Sequence, residues 1–581
     1  MAKTAYTTSQ IVTQLTTSWG GSLTGYTFRW SSSLPTISYS INTSTPSNVP
    51  GYVPPEGGQY LVKMDALQVA TASLAFQLWD DLIAKSQGAQ HRLVQTVSPS
   101  ANITLDYSSN TSNATYSRAF GSVNSATHKV TISAEQVWLS SNWVSNGDSG
   151  MSPGAYGLLT MVHEIGHTLG LSHPGVYNAG SGGAITYANN AVFAQDNRQY
   201  TVMSYFGGYL PGSGWQQDGT YSSYLFPQTP MVYDIAAIQA LYGADTITRT
   251  GNTEYGFNCS FAATDPERQI YDFSINKTPI FTIWDAGGTD TLNCSGYSGN
   301  QIISLIPGSY SSVDGMIQNV AIAFNCAIEG AVGGGGADTI IGSDGNNILA
   351  GGAGADSING GNGSDIYMIY ISDEHPAAER IADTGTAGID EVRFASLKVQ
   401  DTLVLTALDT GIEKVVIGTG TVPVAVTTGT TALNVNAYGV MNALSITGNA
   451  GANTLTGTAY GDTLTGGAGA DKFVFNSIPV LPVNKDTITD FKHSLDVLQF
   501  SKSVFTAITS LAGSTLNPAE FWSGAGVTSG HDANDRIVYN STAGNLYYDA
   551  DGSGSGAAVL VALIGTTTHA SITSTDIQII A

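Results

Sequence analysis

The sequence predicts an α+β domain at its N-terminal end, followed by an all-β part that continues to the C terminus. Apolar residues recur at three-to-four spacing in two stretches of the first 245 residues, a pattern typical of amphipathic helices. Short segments of alternating apolar and polar residues, typical of strands, lie between these stretches. Glycine makes up 68 of the 581 residues and recurs at every ninth place from Gly333 onwards, which indicates a repetitive β structure.

The first 245 residues supply the elements of the α+β prediction. Strands are predicted at 36–41, 103–107 and 129–133, where apolar and polar residues alternate. Helices are predicted at 59–85 and 154–171 from their apolar spacing. Helices that pack on a sheet through one apolar face form a layered α+β domain. The expected buried stripe of the second helix is Leu158, Leu159, Val162, Ile165 and Leu169.

The second predicted helix carries a cluster of potential metal ligands. His163 and His167 lie one helical turn apart and face the same side. Gly170 can take the positive φ that ends a helix, and His173 can then return towards the other two imidazoles. Glu164 lies beside them, where a carboxylate could move a proton without being a ligand. Three imidazoles with an open fourth position are typical of a catalytic zinc site rather than a structural one.

Four consecutive nine-residue units begin at Gly333. Each unit has glycine at its first and fourth positions, Asp or Asn at the sixth and an apolar side chain at the eighth. Glycines permit a tight turn, and its carbonyl and carboxylate oxygens are ligands that Ca²⁺ prefers. The pattern therefore predicts a parallel β-roll of calcium-binding nonapeptides. The residues at the sixth and eighth positions are Asp338, Asn347, Asp356, Asp365 and Ile340, Leu349, Ile358, Tyr367.

A second, poorer array begins at Gly448, and Tyr460 replaces one of its glycines. The residues between the arrays form either extra β coils or a small β insert. After the second array, 547–552 and 559–564 are expected to form a hairpin in a β-sandwich. The predicted domains are 1–245, 246–370 with linker strands and the first array, 371–447 as a β-rich insert, and 448–581.

The composition limits the possible partners. A net charge of −24 argues against nucleic acid, because phosphate binding needs a basic face. No apolar run is long enough for a membrane span. Cys259, Cys294 and Cys326 form an odd set without metal-like spacing, so we expect free thiols rather than a disulfide framework.

The histidine segment resembles a known family. His163-Glu-x-x-His167-x-x-Gly170-x-x-His173 is the signature of the metzincin zinc proteases, and Met203-Ser-Tyr205 is similar to the Met-turn of that clan. Together with the segment around Tyr177, these residues resemble the serralysin branch, peptidase family M10B. The segments 234–243 and 284–290 also resemble serralysins.

The resemblance implies a metzincin-like catalytic domain and a secreted zinc-dependent endopeptidase. One zinc ion, held by His163, His167 and His173, would activate water, and Glu164 would be the general base. The resemblance also makes Tyr205 a possible fourth protein ligand that can stabilise the oxyanion. Met203 would form a hydrophobic floor beneath the metal.

The resemblance and the repeats together imply several structural calcium ions. Calcium residues of the serralysins map onto Arg249, Gly251, Thr253, Asp285, Gly287, Gly288, Asp290 and Glu329. The first array adds Gly334, Gly336, Asp338, Asn347, Gly352, Gly354, Asp356, Gly361, Gly363 and Asp365. Weaker candidates follow in and after the second array, where the family has glycine in place of Ser494: Asp462, Asp471, Asp490 and Asp496.

The resemblance further implies a secreted monomer that acts on a protein or peptide substrate. The type I secretion apparatus would export it through a C-terminal signal at 576–581, without an N-terminal signal peptide, and a proteinaceous inhibitor could bind it. The sequence departs from the family at Val176, where the family has an acidic residue. It also reaches a serralysin-like segment at residues 9–12, where family members tend to start with a short inhibitory propeptide, so either the propeptide is absent or activation follows a different scheme. Two alternatives stay open: a processing protease for the producer's own surface-layer or RTX proteins, and a calcium-folded surface-binding protein with a vestigial metal site.

Overall fold

The structure, a computed structural model, describes residues 3–43, 63–85, 89–98, 100–108, 115–140, 150–178, 184–208, 225–421, 424–478 and 485–581. The chain divides into two compact units. Unit 1 comprises Met1–Cys294 and Ile302–Ile328, and unit 2 comprises Ser295–Gln301 and Glu329–Ala581. No helix in these described ranges is long and apolar enough to cross a membrane. The domain boundaries proposed from the sequence remain a prediction.

Unit 1 combines helices with short strands. Its helices are α1 (Thr8–Thr17), α2 (Ala66–Asp80), α3 (Tyr156–Thr168), α4 (Tyr187–Asn190), α5 (Val232–Tyr242) and α6 (Arg268–Tyr271). Its strands are β1 (Thr27–Trp30), β2 (Ile37–Ile41), β3 (Leu93–Gln95), β4 (Ile103–Ser108), β5 (Tyr116–Asn124), β6 (Lys129–Ser140), β7 (Glu254–Gly256), β8 (Phe281–Ile283), β9 (Thr291–Asn293), β10 (Ile302–Ser304), β11 (Tyr310–Ser311) and β12 (Val320–Ile322).

The main sheet of unit 1 has the strand order β1-β6-β4-β2-β3, and β5 pairs with β6. The pairs along this order are parallel, whereas β5 is antiparallel to β6. Helices α2 and α3 pack against each other. The Trp79 indole Nε1 of α2 donates to the Val162 carbonyl oxygen of α3 at 2.9 Å. Helix α3, which carries two of the histidines, is therefore held against helix α2.

The predicted strands of unit 1 are present, but both long helices are shorter than expected. Helix α2 begins at Ala66, because Asp65 and Gln68 form a reciprocal capping box; residues 59–62 lie outside the described ranges. Leu67, in the first turn of this helix, is 38% exposed. Helix α3 runs only from Tyr156 to Thr168. Its predicted apolar stripe is confirmed, because all five residues are buried.

Unit 2 consists of short strands. They are β13 (Gly330–Val332), β14 (Thr339–Ile341), β15 (Ile348–Ala350), β16 (Ser357–Asn359), β17 (Ile366–Ile369), β18 (Arg380–Ile381), β19 (Glu391–Phe394), β20 (Asp401–Val404), β21 (Lys414–Ile417), β22 (Leu433–Asn436), β23 (Ser445–Thr447), β24 (Thr454–Thr456), β25 (Thr463–Thr465), β26 (Lys472–Phe475), β27 (Asp486–Ile488), β28 (Val497–Ser501), β29 (Phe521–Gly524), β30 (Ile537–Asn540), β31 (Asn545–Tyr548), β32 (Val559–Ile564) and β33 (Ile577–Ile580).

Successive strands of unit 2 alternate between parallel sheets. The odd-numbered strands from β13 to β27 form one continuous sheet, which β32 extends. The even-numbered strands from β14 to β28 form two sheets, β14-β16-β18 and β20-β22-β24-β26-β28, and β33 extends the second of these. Strands β19 and β21, from the segment between the arrays, thus pair in series with strands of both arrays. Of the two possibilities left open by the sequence, the structure has the extra coils.

Buried carboxylates connect the turns of successive coils. The Asp365 Oδ1 accepts from the Asn347 backbone N–H at 2.7 Å, and the Asp390 Oδ1 accepts from the Asp365 N–H at 2.9 Å. Glu413, an exposed residue, continues the series by accepting from the Asp390 N–H at 2.9 Å. Because each carboxylate satisfies an N–H of the preceding coil, the coils stay in register even where the nonapeptide pattern is lost.

The C-terminal end of unit 2 contains the predicted hairpin. Strands β31 and β32 are antiparallel, with a register shift between Leu546 and Tyr547. The last strand, β33, pairs in parallel with β28. Ser494, which stands where the serralysins have glycine, takes a φ of +66°, so the turn forms without glycine.

Candidate metal centre

The three histidines predicted as ligands come together in unit 1. The Nε2 atoms of His167 and His173 are 3.2 Å apart, and those of His173 and His163 are 3.3 Å apart. Helix α3 supplies two of the imidazoles, and Gly170 allows the third to return with a φ of +98°. A Cβ at Gly170 would overlap the Phe28 carbonyl oxygen, so the turn needs glycine.

Hydrogen bonds fix the tautomers of two of these imidazoles. The Nδ1 of His163 donates to the Val202 carbonyl oxygen at 2.7 Å, and the Nδ1 of His167 donates to the Leu171 carbonyl oxygen at 2.7 Å. Both Nε2 atoms therefore present lone pairs to the common point. Burial lowers the pKa of all three imidazoles, including that of His173, and so favours the neutral form that binds metals.

This donor set fits a tetrahedral divalent ion. Neutral lone pairs that face one another at 3.2 and 3.3 Å repel unless a cation lies between them. Two nitrogens of a tetrahedral zinc site, each about 2.05 Å from the metal, are separated by roughly 3.3 Å. The spacing in this chain agrees with that geometry.

Glu164 lies beside the histidines. Its side chain lines a cavity of about 390 Å³ together with His167, His173 and Tyr205. The Oε2 atom of Glu164 is buried and has no hydrogen-bond partner among the described residues. Burial raises the pKa of this carboxyl group to about 8. A carboxylate held in this way can take up a proton that is released within the cavity.

Asp234, on α5, supports the ligand His163 through the backbone, a role that the sequence alone did not reveal. The Asp234 Oδ2 accepts from the Val202 N–H at 2.7 Å and from the Met231 N–H at 2.8 Å. Its Oδ1 accepts from the Thr201 hydroxyl at 2.5 Å. Burial raises the pKa of Asp234 to about 7. Because Val202 is the acceptor for His163, Asp234 positions that imidazole indirectly.

Met203 packs directly beneath the ligand helix. It is fully buried, and a Cβ on Gly166 would lie 2.7 Å from its sulfur and 3.0 Å from the Trp79 ring. The glycine between the two helical ligands stands at an unspecified position of the motif, so here it is packing that requires it. The role of Met203 as a hydrophobic floor beneath a metal stays a prediction.

A second polar network supports His173. The ring of Tyr177 stacks on that of His173 with centroids 5.2 Å apart, and the Tyr177 hydroxyl donates to the Asp196 Oδ1 at 2.8 Å. The Ser204 hydroxyl donates to the same oxygen at 2.8 Å. The Tyr205 ring is 4.5 Å from that of His173, so Tyr205 borders the site as expected; its role as a ligand stays a prediction. Nothing in the sequence singled out Asp196, because its contacts with Tyr177 and Ser204 follow no helix or strand period.

The predicted calcium residues at the C-terminal end of unit 1 lie together. The Asp290 Oδ1 accepts from the Thr253 N–H at 2.7 Å, and the Thr253 hydroxyl donates to the Gly251 carbonyl oxygen at 3.2 Å. A Cβ on Gly288 would overlap that same carbonyl oxygen. The Asp285 Oδ1 accepts from the Gly287 N–H at 3.0 Å.

Arg249 can contribute only its carbonyl oxygen to such a calcium site. Its guanidinium group pairs with Asp81 at 2.7 Å and with Glu267 at 2.9 Å, and it donates to the Trp284 carbonyl oxygen at 2.8 Å. Burial opposes the charge of the guanidinium, but Glu267 and Asp81 raise its pKa above the usual value.

The first array contains buried carboxylates with unused oxygens. Among the described residues, the Oδ2 atoms of Asp356 and Asp365 are buried without a hydrogen-bond partner. Burial first, and neighbouring carboxylates second, raise the pKa of Asp356 to about 6 and that of Asp365 to about 7. Asp338 and Asn347 are likewise buried, and the Glu329 carbonyl oxygen accepts from the Asn347 side chain at 3.1 Å.

The glycines of the first array allow close stacking of the turns. A Cβ on Gly352 or Gly354 would overlap the Gly334 or Gly336 carbonyl oxygen, respectively. A Cβ on Gly361 or Gly363 would also be within 2.9 Å of a carbonyl oxygen of the preceding turn. Stacked turns thus bring hard oxygen donors towards one another.

The second array is less uniform. The Asp471 Oδ2 is buried and has no partner in the described ranges, as in the first array. Asp462 differs, because its carboxylate accepts from the Thr458 hydroxyl at 3.0 Å and from the Thr458 N–H at 2.6 Å. Asp490 accepts from two N–H groups at 2.8 Å, and Asp496 accepts from the Lys492 N–H at 2.7 Å. These bonds leave fewer oxygens for a cation at Asp462.

Two protein families match parts of the chain. The family described as Peptidase M10 serralysin C terminal matches residues 244–417, and the RTX calcium-binding nonapeptide repeat matches residues 447–477. The chain is also similar to Serralysin B of Dickeya chrysanthemi, with 40% identity over 295 residues. Residues 244–417 are thus similar to the C-terminal part of serralysins, and residues 447–477 are similar to RTX calcium-binding repeats.

Other serralysins are similar over shorter stretches. Serralysin of Proteus mirabilis is 43% identical over 219 residues, which are 37% of this chain and 41% of that protein. Metalloprotease AprA of Pseudomonas entomophila is 46% identical over 197 residues, 34% of this chain and 39% of that protein. The match to Serralysin B covers 49% of this chain and 56% of the relative. The chain thus spans about half the length of the curated relatives it matches.

Proposed function

We propose that this serralysin-type chain is a secreted zinc-dependent metalloendopeptidase that calcium stabilises. The observation that carries the proposal is the convergence of three neutral imidazoles at 3.2 and 3.3 Å beside Glu164, whose Oε2 is buried without a described partner. The similarity to serralysins and to a metalloprotease supports the same activity.

His163, His167 and His173 would hold the metal. Zinc bound there would polarise the carbonyl of a peptide bond and lower the pKa of water to about 7. The carbonyl oxygens of Val202 and Leu171 keep the Nδ1 protons of two ligands in place. Tyr205, which lines the same cavity, is the proposed fourth protein ligand and the group that stabilises the oxyanion.

Glu164 would move the proton. Its carboxylate faces the cavity that contains two of the imidazoles, so it can accept a proton from the attacking water and pass it to the leaving amine. The pKa of about 8 applies to the metal-free carboxyl group. A cation nearby favours the ionised form of a carboxyl group, which is the form that a general base needs.

The RTX array and the cluster around Asp290 would bind structural calcium ions. In this proposal the arrays form a β-roll, low calcium leaves it unfolded for export by the type I secretion apparatus, and extracellular calcium then folds it. The metzincin-like assignment of unit 1, the C-terminal signal and the monomeric state belong to this proposal as well.

Casein zymography of the full chain tests the proposed activity. The parent should give a clear zone that a chelator abolishes, and Glu164→Gln should lower peptide hydrolysis by roughly 10²–10⁴-fold while the bound zinc is retained. His167→Ala should lose zinc as well as activity. The matched control His128→Ala changes an exposed histidine in unit 1 and should change neither.

The outcome also separates the alternatives. Zinc binding without cleavage of any protein tested would contradict the proposal and favour the surface-binding protein. Cleavage confined to the producer's own surface-layer or RTX proteins would indicate the processing protease.

A further inference from the structure

The C-terminal end of helix α1 is bound to the turn that follows helix α3. The Ser172 hydroxyl of that turn donates to the Gln14 carbonyl oxygen at 2.9 Å and accepts from the Ser18 N–H at 3.1 Å. The Ser172 N–H donates to the Leu15 carbonyl oxygen at 2.7 Å. Ser172 is buried, so water does not compete for these bonds. A single serine therefore joins α1 to the segment behind the ligand helix.

The peptide group between Leu171 and Ser172 connects this contact to the proposed zinc ligands. Its carbonyl oxygen, that of Leu171, accepts from the His167 Nδ1 at 2.7 Å. Its N–H, that of Ser172, donates to the Leu15 carbonyl oxygen. Because a peptide group is planar and rigid, a rotation that breaks one of these bonds also disturbs the other. His173 is the next residue along the chain. The bond from α1 thus fixes a plane that orients one ligand and immediately precedes another.

Helix α1 is held in place by contacts that do not involve Ser172. Ile11 and Leu15 of α1 are fully buried, and α1 packs against α5, the helix that carries Asp234. Before α1 begins, the Thr4 carbonyl oxygen accepts from the Ala194 N–H at 2.9 Å. The helix is therefore anchored along its apolar side and before its N-terminal end, so it can serve as a fixed support for the turn at Ser172.

The partners of Ser172 differ from those of an ordinary serine or threonine near a helix end. Such hydroxyls usually bond to backbone groups three or four residues away. Thr168, the last residue of α3, follows this pattern, because its hydroxyl donates to the Ile165 carbonyl oxygen at 2.7 Å. The hydroxyl of Ser172 instead bonds to groups that are 154 and 158 residues away along the chain. Its bonds therefore connect two elements rather than complete one.

We propose that Ser172 is a positioning residue through which helix α1 holds the proposed zinc ligands His167 and His173 in place. Groups that orient metal ligands through hydrogen bonds contribute to metal affinity without touching the ion. Loss of the contact with α1 would free the peptide plane that orients His167 and leads into His173. The coupling is reciprocal, so zinc binding would also strengthen the docking of α1. The inference rests on the zinc site of the proposed function but does not require proteolysis.

Zinc affinity of the full chain tests this role. Ser172→Ala should weaken zinc binding by roughly 3–10-fold, about the contribution of one hydrogen bond, measured by competition with a chromophoric chelator. The visible absorption spectrum of the cobalt-substituted protein should also change, because it reports the geometry of the ligands. Thr16→Val is the matched control, since it removes a buried hydroxyl of α1 that donates to the Val12 carbonyl oxygen within the helix. It should leave the affinity and the spectrum unchanged.

A Ser172→Ala protein that is less stable but keeps the zinc affinity and the cobalt spectrum of the parent would overturn the proposal, because the contact would then be purely structural. If the parent also cleaves protein, this result contradicts the present inference alone. Zinc binding by the parent without cleavage of any protein tested contradicts the proposed function alone, since neither readout depends on hydrolysis.

Hydrogen–deuterium exchange of the parent tests the reciprocal effect without a variant, and it serves if Ser172→Ala does not fold. Zinc should slow amide exchange in residues 8–18 more than in β3, which lies at the edge of the main sheet opposite β1. An equal change in both segments would show that zinc binding is not coupled to the docking of α1 and would overturn the proposal.

Discussion

At the scale of single residues, the proposed zinc site depends on side chains that never touch the metal. Asp234 accepts from the Val202 N–H at 2.7 Å, and the Val202 carbonyl oxygen in turn accepts from the His163 Nδ1. Groups that orient metal ligands in this way contribute to affinity through the geometry of the ligand.

We expect Asp234→Asn to lower zinc affinity by roughly 10–100-fold and the free energy of unfolding by about 1–3 kcal/mol. The amide NH₂ would face one of the three donors that the carboxylate now accepts from. Zinc affinity is measured by competition with a chromophoric chelator, and stability by urea denaturation. Asp65→Asn is the control, because Asn caps a helix as well as Asp. Unchanged zinc affinity in Asp234→Asn would show that Asp234 does not position the ligand.

A buried histidine in unit 2 predicts a pH effect. The His375 Nε2 lies 3.2 Å from Asp409, and its Nδ1 lies 3.2 Å from Glu379. Burial alone would lower the pKa of His375, but the hydrogen bond with Asp409 and the nearby carboxylate of Glu379 raise it to about 9. An ordinary histidine titrates near pH 6.5. The charged form therefore stabilises the fold fully below that pH, and this contribution is lost as the pH rises towards about 9.

Burial raises the pKa of the neighbouring Glu379 to about 7. The stabilities of the parent and of His375→Gln are therefore compared above pH 7, so that the titration of Glu379 contributes little. Between about pH 7.5 and 9.5, the free energy of unfolding of the parent should fall by on the order of 1–2 kcal/mol more than that of His375→Gln. Urea denaturation at fixed calcium concentration measures both. Equal slopes for the two proteins would contradict the raised pKa.

At the scale of elements, close packing against helix α3 at Gly166 limits the size of the side chain that the helix can carry there. Gly166 faces the Met203 sulfur and the Trp79 ring, both buried. In an open helix, Gly→Ala would gain about 1 kcal/mol, whereas overpacking a core costs about 1–3 kcal/mol.

Gly166→Ala should therefore lower the free energy of unfolding by about 1 kcal/mol or more and weaken zinc binding, because the helix must shift away from Met203. Urea denaturation of the metal-free protein and a zinc titration measure the two effects. Ser9→Ala, on the exposed side of α1, is the comparison and should be neutral or slightly stabilising. A more stable Gly166→Ala with unchanged zinc binding would show that the packing can relax.

At the scale of the whole molecule, the net charge of −24 favours the binding of cations. In unit 2, buried carboxylates follow one another from coil to coil, and the pKa values of Asp356 and Asp365 are raised to about 6 and 7 by burial and by other carboxylates nearby. Calcium binding would contribute roughly 2.7 kcal/mol per site at a hundredfold excess over Kd.

Removal of calcium should therefore lower the unfolding midpoint of unit 2 by about 10 °C or more, since each kcal/mol corresponds to roughly 2–4 °C for a domain of this size. Differential scanning calorimetry with and without a calcium chelator measures the shift, and magnesium at equal concentration is the control. A midpoint that does not respond to calcium would contradict a structural role for the ions.

Much of the site was predictable, because its main residues are close in sequence. Helical periodicity and one glycine turn suffice to predict that His163, His167 and His173 meet. The supporting roles of Asp234 and Asp196 were not predictable, since each depends on contacts that form only in the folded chain. The start of helix α2 was also not predictable. Apolar spacing continues upstream of Asp65, but the capping box at Asp65 makes the helix begin at Ala66.

The sequence by itself determined the local chemistry: the spacing of the histidines and the nine-residue repeat follow from the periods of helix and coil. The tertiary structure alone decided which distant groups share a site. It stacked the turn that contains Gly385 and Gly388 on the last nonapeptide, and it placed the Val202 carbonyl oxygen 2.7 Å from the His163 Nδ1. Periodicity describes neighbours along one element, whereas contacts between elements depend on how the whole chain buries its apolar surface.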